Sequence, residues 1–225
     1  GDIVAEIRHL TINNTGGDTR SFGVWTEDVV AGSVSMSDVT ATATGGTLSN
    51  AGVRNGSSSP SMMDVTATAT GGTFSSFGVA NVLSSPSMMD VTATGTGNTQ
   101  SNAGVYNEAS SPSMMNVTAT GTGGTYSYGV NNNSSSPSMM DVTATGTGGT
   151  NTRGVYNYDS SSPSMTNVTA TGTGGTGDNY GVYNIDSSSP SMTNVTATGT
   201  GGTGDNYGVY NVSSSSPSVR NSSFT

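Results

Sequence analysis

Apolar and polar residues alternate in a short phrase that the chain repeats seven times. In the copy at residues 65–70 the order is Val-Thr-Ala-Thr-Ala-Thr, so valine and alanine share one face and threonine takes the other. Alternation with a period of two is typical of a β-strand with one buried face. The valine of the phrase recurs at intervals of 25 to 27 residues, at Val39, Val65, Val91, Val117, Val142, Val168 and Val195.

Each repeat contains two further segments of extended character. One carries a Gly-Val pair with Asn two residues later, and we expect these amides to lie inward or at a corner and to hydrogen-bond to one another. The other runs from serines to Pro, Ser and Met. Proline cannot donate to a strand ladder and predicts a corner, whereas the adaptable Met side chain is expected to fill the core. The asparagines are Asn55, Asn81, Asn107, Asn132, Asn157, Asn184 and Asn211.

A constant repeat of this length predicts units that bury their apolar faces by stacking on one another. With three short strands per turn and no helix signal, we expect an all-β fold: a single-stranded parallel β-helix of about eight turns of about 26 residues. One domain should cover residues 1–225, with an atypical first turn at 1–32, regular repeats at 33–217 and a terminal strand at 218–225. At about 4.8 Å per turn the rod would be about 40 Å long.

The phrase SSSPSMTNVTATGTGG, followed by YGVYN, resembles the repeats of right-handed parallel β-helix proteins. These are secreted or surface proteins of bacteria and archaea that share the pectin-lyase-like coil. The resemblance covers about residues 33–218 and implies a right-handed coil outside the cell. It implies no particular activity, because that coil carries enzymes, adhesins and inert rods alike.

Composition and charge limit the partners and the chemistry that we expect for this chain. The chain has a net charge of −9, no Lys and only five Arg, so neither nucleic acid nor an anionic lipid surface is an expected partner. Its apolar runs are too short for membrane insertion. The absence of Cys excludes disulfides and thiol chemistry. A first residue of Gly1 rather than Met suits a processed secreted protein.

Catalysis and metal binding are not expected. The acidic residues occur mainly at one slot of the repeat, where Asp38, Asp64, Asp90 and Asp141 alternate with Asn, and such interchange favours a turn over proton transfer. The five arginines occupy different slots and His9 is the only histidine, so no catalytic cluster is visible. We therefore expect no enzyme, no catalytic residue and no cofactor.

Two outward patterns have binding potential. Ranks of threonine resemble the flat Thr-x-Thr faces of ice-binding β-solenoids, although threonine also simply stabilises exposed strands; the central members are Thr66, Thr68, Thr92, Thr94, Thr118, Thr120, Thr143 and Thr145. The second pattern is an aromatic column after the Gly-Val pairs, suited to binding sugars or to packing between turns. Its members are Trp25, Tyr106, Tyr156, Tyr183 and Tyr210.

The two ends of the coil predict self-association. Ile7, Leu10 and Ile12 fall at apolar slots of the first strand, and Val219 and Phe224 fall at the matching slots of the last. Contact between two different edges is open and propagates into a fibre. Our leading hypothesis is therefore an extracellular structural protein that stacks head to tail into a filament. The alternatives are a glycan-binding adhesin or stalk segment, with surface glycans as partners, and an ice-binding protein.

Overall fold

A computed structural model describes residues 5–30 and 33–225. These residues form a parallel β-solenoid of about 8 turns with about 26 residues per turn and no helix, which confirms the predicted fold class. Accordingly, the described residues contain no helix that is long and apolar enough to cross a membrane. The strands are β1 (Ala5–Asn14), β2 (Arg20–Glu27), β3 (Val34–Thr44), β4 (Ser49–Gly56), β5 (Ser61–Thr70), β6 (Ser75–Val82), β7 (Ser87–Thr96), β8 (Ser101–Glu108), β9 (Ser113–Met115), β10 (Thr118–Thr122), β11 (Tyr126–Asn133), β12 (Ser138–Met140), β13 (Thr143–Thr147), β14 (Asn151–Tyr158), β15 (Ser164–Thr166), β16 (Thr169–Thr173), β17 (Asn179–Asn184), β18 (Ser191–Thr193), β19 (Thr196–Thr200), β20 (Asn206–Asn211), β21 (Ser218–Arg220) and β22 (Ser223–Phe224).

The strands form two sheets whose hydrogen bonds run along the coil axis. The first sheet has 14 strands and contains the Ser-Met and Val-Thr-Ala-Thr segments of every repeat. These two segments form one continuous strand in β1, β3, β5 and β7, so the first four turns have two strands each instead of the predicted three. The second sheet has eight strands, in the order β2-β4-β6-β8-β11-β14-β17-β20, and contains the Gly-Val segments. Equivalent residues of successive repeats are register partners, as in the pairs Val65 with Val91 and Val79 with Val105.

A left-handed residue bends the first sheet once in every turn. The backbone φ is +52° at Asp64 and +57° at Asn116, and the same slot is left-handed at His9 and Asn221 in the terminal turns. Asp and Asn tolerate this conformation better than other non-glycine residues because their short polar side chains hydrogen-bond locally. The interchange of Asp and Asn is therefore a backbone requirement, in agreement with the predicted turn.

Glycine is required where the two sheets approach each other most closely. A Cβ atom added to Gly78 would overlap the backbone nitrogen of Thr94 in the first sheet, and one added to Gly121 would overlap the carbonyl of Tyr128 in the second. The valine after such a glycine in the second sheet is also buried, as Val79 is, and only Val209 in the last turn is half-buried. Both residues of the Gly-Val pair thus face inward, and the strict alternation of faces shifts by one residue at this point.

The core consists of stacked columns of identical side chains. The inward methionines, such as Met62 and Met88, are 1 % exposed, and the inward valines and alanines are equally buried. Ile7 and Ile12 of the first turn pack against this core and remain half-buried. The inward assignment of the Met, Val and Ala slots is therefore confirmed.

Polar ladders complete the corners of the coil. The amide of Asn55 donates a 2.9 Å hydrogen bond to Oδ1 of Asn81, and equivalent bonds continue along the asparagine column to Asn211. Next to the buried prolines, the backbone nitrogen of Ser110 donates to the hydroxyl of Ser135 at 2.9 Å. Because proline has no N–H, these hydroxyls continue the axial hydrogen bonding at the corner.

Candidate binding surface on the second sheet

The outer side of the second sheet carries two aromatic columns. The column predicted after the Gly-Val pairs is present, since Tyr156, Tyr183 and Tyr210 are successive register partners. A second column, which the sequence analysis missed, lies beside it. The residue before each Gly-Val pair shares the outer face and is aromatic in five of eight turns, which is the signal that identifies it. These residues are Phe22, Phe77, Tyr128, Tyr180 and Tyr207.

Toward the C-terminal end the two columns pack against each other. The ring centroids of Tyr128 and Tyr156 are 5.4 Å apart with an interplanar angle of 10°, and those of Tyr180 and Tyr210 are 5.3 Å apart at 12°. Tyr183 contacts both Tyr156 and Tyr210 at similar distances. The tyrosines of this half therefore pack on one another, and much of their ring surface is covered.

Arg153 lies within this tyrosine cluster. Its Cζ atom is 4.5 Å from the ring centroid of Tyr156 and 4.8 Å from that of Tyr183. Its Nη1 donates to the hydroxyl of Tyr128 at 3.1 Å, while its buried Nε has no hydrogen-bond partner. No carboxylate pairs with it among the described residues, so cation–π contacts are the main stabilisation of this 9 % exposed cation.

Toward the N-terminal end the columns are interrupted and leave a groove. Ala51 stands between Phe22 and Phe77 of the neighbouring turns, and Ala80 stands between Arg54 and Tyr106. The resulting groove has a volume of about 520 Å³. Its most informative lining residues are Arg20, Phe22, Arg54, Phe77, Tyr106 and Asn131. An adjoining hollow shares the two arginines and Phe22 and adds Trp25 and Glu27.

The groove brings together charges that the sequence analysis treated as scattered. Arg20, Arg54 and Arg153 all lie on the outer face of the second sheet, whereas Arg8 and Arg220 belong to the first sheet. The three arginines of the second sheet do occupy different slots of the repeat, as the sequence indicates. They share one face because both Gly and Val of the Gly-Val pair point inward, which breaks the strict alternation of faces. Neither groove arginine forms an ion pair with a described residue. The Cζ atom of Arg54 lies 5.6 Å from the ring centroid of Phe22.

Polar groups in the groove are placed between the rings. Asn131 is 8 % exposed, and its Oδ1 has no hydrogen-bond partner. The hydroxyl of Tyr106 donates to Glu108 Oε2 at 3.2 Å. Burial, followed by the charge of Glu108, raises the pKa of Tyr106 to about 12. Burial also raises the pKa of Tyr156, and the nearby charge of Arg153 opposes that shift.

The predicted threonine ranks lie on the outer face of the first sheet, in register from turn to turn. One rank is exposed (Thr66, Thr92, Thr118 and Thr143), and the next is half-buried (Thr68, Thr94, Thr120 and Thr145). A column of four outward methionines, missed by the sequence analysis, runs along the same sheet: Met63, Met89, Met115 and Met140 are 36 to 45 % exposed. The outward orientation of the threonines is therefore confirmed, and their role in binding stays a prediction.

The residues predicted to join two coils lie at opposite ends. Leu10 in β1 is 47 % exposed, and Val219 and Phe224 in the last strands are 46 % and 41 % exposed. Among the described residues, β1 pairs only with β3, and β22 pairs only with β19. In the described part of the chain, β1 and β22 thus each pair with one neighbouring strand.

No group of three or more His, Cys, Asp or Glu residues is placed to hold a metal ion in the described part of the chain. Comparison of the chain with protein-family models, with curated proteins and with solved structures finds no match. Function must therefore be inferred from the geometry of the coil itself.

Proposed function

We propose that this chain is an extracellular β-solenoid, a stalk or adhesin segment, that binds carbohydrate in the groove on its second sheet. The observation that carries the proposal is the presence in one concavity of ring surfaces, two arginines that form no ion pair with a described residue, and Asn131 with its unsatisfied Oδ1. Small-molecule sites are typically concave and largely apolar, with a few convergent polar groups.

The groove offers the contacts that a sugar requires. Aromatic rings provide flat apolar surfaces for the C–H face of a pyranose. Phe77 and Tyr106 stack on each other with centroids 4.6 Å apart and are half-buried, so a sugar would contact the ring surfaces that face away from this stack. Asn131 and the guanidinium groups of Arg20 and Arg54 supply hydrogen bonds for hydroxyl groups. All these side chains stand on paired strands, which hold them rigidly.

The proposal is tested by screening the purified chain on a glycan array and measuring the best ligand by calorimetry. We expect Tyr106→Ala to weaken binding by at least about tenfold, because it removes one ring of the parallel pair. Tyr207→Ala is the matched control, since Tyr207 is on the same face but outside the groove. Failure of the wild-type chain to bind any glycan contradicts the proposal.

The resemblance of the repeats to secreted pectin-lyase-like coils supports the extracellular location. It also supports right-handed winding, which parallel crossover connections strongly favour. Labelling of intact cells with an antibody against the chain tests the location, and signal that needs permeabilised cells contradicts it.

A filament formed by end-to-end stacking of copies of this chain is a second candidate, based on apolar residues at matching slots of β1 and of β21 and β22. Each amide of the asparagine column donates toward the following turn, so Asn211 ends the column as an exposed group. A second copy that places Ile7, Leu10 and Ile12 against Val219 and Phe224 would pair the edges of the first sheet. The second sheet has one strand fewer than the stack of Val-Thr-Ala-Thr strands in the first sheet. This junction therefore requires an offset or an exchange of strands.

Electron microscopy of the purified chain tests this second candidate. Stacking predicts rods with an axial repeat of about 40 Å. Val219→Lys should shorten them because a charge at a strand edge opposes edge pairing, whereas Thr203→Lys, in a turn, should not. A chain that stays monomeric at high concentration contradicts stacking.

A further inference from the structure

We infer that the groove selects oligosaccharides that carry a single anionic sugar at one end, with the acidic unit held by Arg20 and Arg54 and neutral units along the rings. This inference rests on the proposed carbohydrate binding and specifies the ligand class. It follows from the distribution of charge along the groove.

The charges of the groove are separated along its length. The lining extends from Phe22 in β2 to Tyr156 in β14, which spans five steps between strands, or about 24 Å. Both lining arginines belong to the first two of these strands. Glu108, the lining carboxylate, belongs to β8, farther along the coil. Arg153 lies against the far end but is enclosed by tyrosine rings and does not line the groove. The lining charges therefore favour an anion at the arginine end and disfavour one near Glu108.

The two arginines are available to a ligand. Among the described residues, Arg8 pairs with Glu6, and Nδ1 of His9 lies 2.8 Å from Oδ2 of Asp38; neither contact involves the groove. Glu27 adjoins the arginine end, where its Oε2 accepts a 2.8 Å hydrogen bond from Trp25 Nε1. Two cations against one carboxylate leave a local positive charge, and a guanidinium group binds a carboxylate through two parallel hydrogen bonds.

A ligand charged along its whole length fits less well. The chain carries a net charge of −9, so only the local field of the arginines attracts an anion. A polyanion would place further charges near Glu108 and along a negatively charged protein, at an energetic cost that salt only partly screens. The groove therefore discriminates by the position of the charge.

The middle of the groove fits a neutral sugar. Phe77 and Tyr106 are apolar surfaces without a nearby cation, and Asn131 stands one turn farther than Tyr106 in the same column. Its amide is more than nine-tenths buried yet has an unsatisfied oxygen. Such a buried polar atom costs free energy unless a partner reaches it. The oxygen has almost no accessible surface in the free coil, so the side-chain amide must rotate for a sugar hydroxyl to reach it.

The test compares matched oligosaccharides, each neutral or bearing one terminal sialic or uronic acid, together with trigalacturonate. We expect the acid-terminated members to bind at least about tenfold more tightly than their neutral counterparts and this advantage to shrink as salt is raised. Arg54→Gln should reduce the advantage, so that matched acidic and neutral members bind more nearly alike, because Gln keeps a hydrogen-bond donor but loses the charge. Arg220→Gln, the same change of charge on the first sheet, should have no effect.

The outcomes separate this inference from the proposed function. Equal binding of matched pairs, or tightest binding of trigalacturonate, overturns the inference. If Phe77→Ala still weakens the neutral members in that case, carbohydrate binding itself stands. If no oligosaccharide binds, both the inference and the proposed function fail.

Discussion

The side-chain amide of Asn107 donates a 2.9 Å hydrogen bond to Oδ1 of Asn132, its equivalent one turn along the coil. Both side chains are completely buried. At the head of the same column, the hydroxyl of Thr26 donates to Oδ1 of Asn55 at 2.8 Å. The ladder satisfies buried amides that would otherwise destabilise the fold, and each bond joins two neighbouring turns.

Loss of one amide from this ladder should destabilise the coil. Asn107→Ala leaves the Nδ2 of Asn81 without its acceptor and the Oδ1 of Asn132 without its donor. We expect the free energy of unfolding to fall by about 1–3 kcal/mol, measured by urea denaturation. Gln100→Ala, at an exposed turn, should change it by less than about 0.5 kcal/mol. Equal effects of the two changes would contradict a structural role for the ladder.

The close approach of the two sheets predicts a sharp difference between glycines. A Cβ at Gly104 would overlap the backbone of Thr120 and Ala119, whereas one at Gly16 meets only Oδ1 of Asn14, at 3.8 Å. Gly104→Ala should therefore destabilise the coil by about 3 kcal/mol or more, because the obstructing atoms are backbone. Gly16→Ala should be close to neutral. Thermal unfolding compares them, and a well-tolerated Gly104→Ala would refute the predicted spacing.

The buried tyrosines predict a loss of stability in alkali. The unfolded chain releases a phenolic proton near about pH 10, whereas the pKa of Tyr106 in the folded coil is raised to about 12. The folded state thus binds the proton more tightly, so this contribution is fully present below about pH 10 and is lost as the pH rises through about 12.

Urea midpoints measured across this pH range test the alkaline effect. Tyr106→Phe should flatten the decline, and Tyr207→Phe in the exposed last turn is the control. Burial also raises the pKa of Tyr128 and Tyr180, so part of the decline should persist in either variant. A midpoint that stays constant over the range would contradict the assigned burial.

Ice binding by the threonine ranks has a direct test. Thr118 and Thr143 are exposed register partners on adjacent strands. The ice-binding hypothesis predicts thermal hysteresis in a solution of the chain, and its loss when both residues become Tyr. Met63→Ala, in the neighbouring outward column, should preserve it. Ordinary freezing of the wild-type chain contradicts ice binding and leaves the ranks as cross-strand stabilisers.

The sequence predicts the coil because two periods can be read from it, the repeat of 25 to 27 residues and the two-residue alternation of apolar and polar side chains. The repeat length defines the turn, and the alternation from Val65 to Thr70 assigns inward and outward faces. The aromatic columns are only partly predictable. Phe22 and Trp25 are three residues apart, so strict alternation places them on opposite faces. Their ring centroids are nevertheless 5.6 Å apart, because Gly and Val between them both face inward.

The same parity shift explains why the groove was not foreseen. Arg20 and Arg54 occupy slots of opposite parity, and alternation alone separates them. A small side chain such as Ala80 indicates a groove only when both aromatic columns are known, so the sequence alone does not predict the groove. Ring-on-ring packing around Arg153 likewise depends on contacts between turns that the residue types alone do not specify.

Paired cysteines test most directly the claim that each repeat winds once around the coil, because the chain has no cysteine of its own. Thr118 and Thr143 are register partners one turn apart, and their Cα atoms, about 4.8 Å apart, lie within disulfide range. Thr118 and Thr169 are two turns apart, about 9.6 Å, beyond that range. Under mild oxidation, Thr118→Cys with Thr143→Cys should close an intramolecular disulfide, seen as faster migration on a non-reducing gel, while Thr118→Cys with Thr169→Cys should stay reduced. Closure of the distant pair but not of the adjacent one would contradict the winding on which the groove, the ladders and the edges all depend.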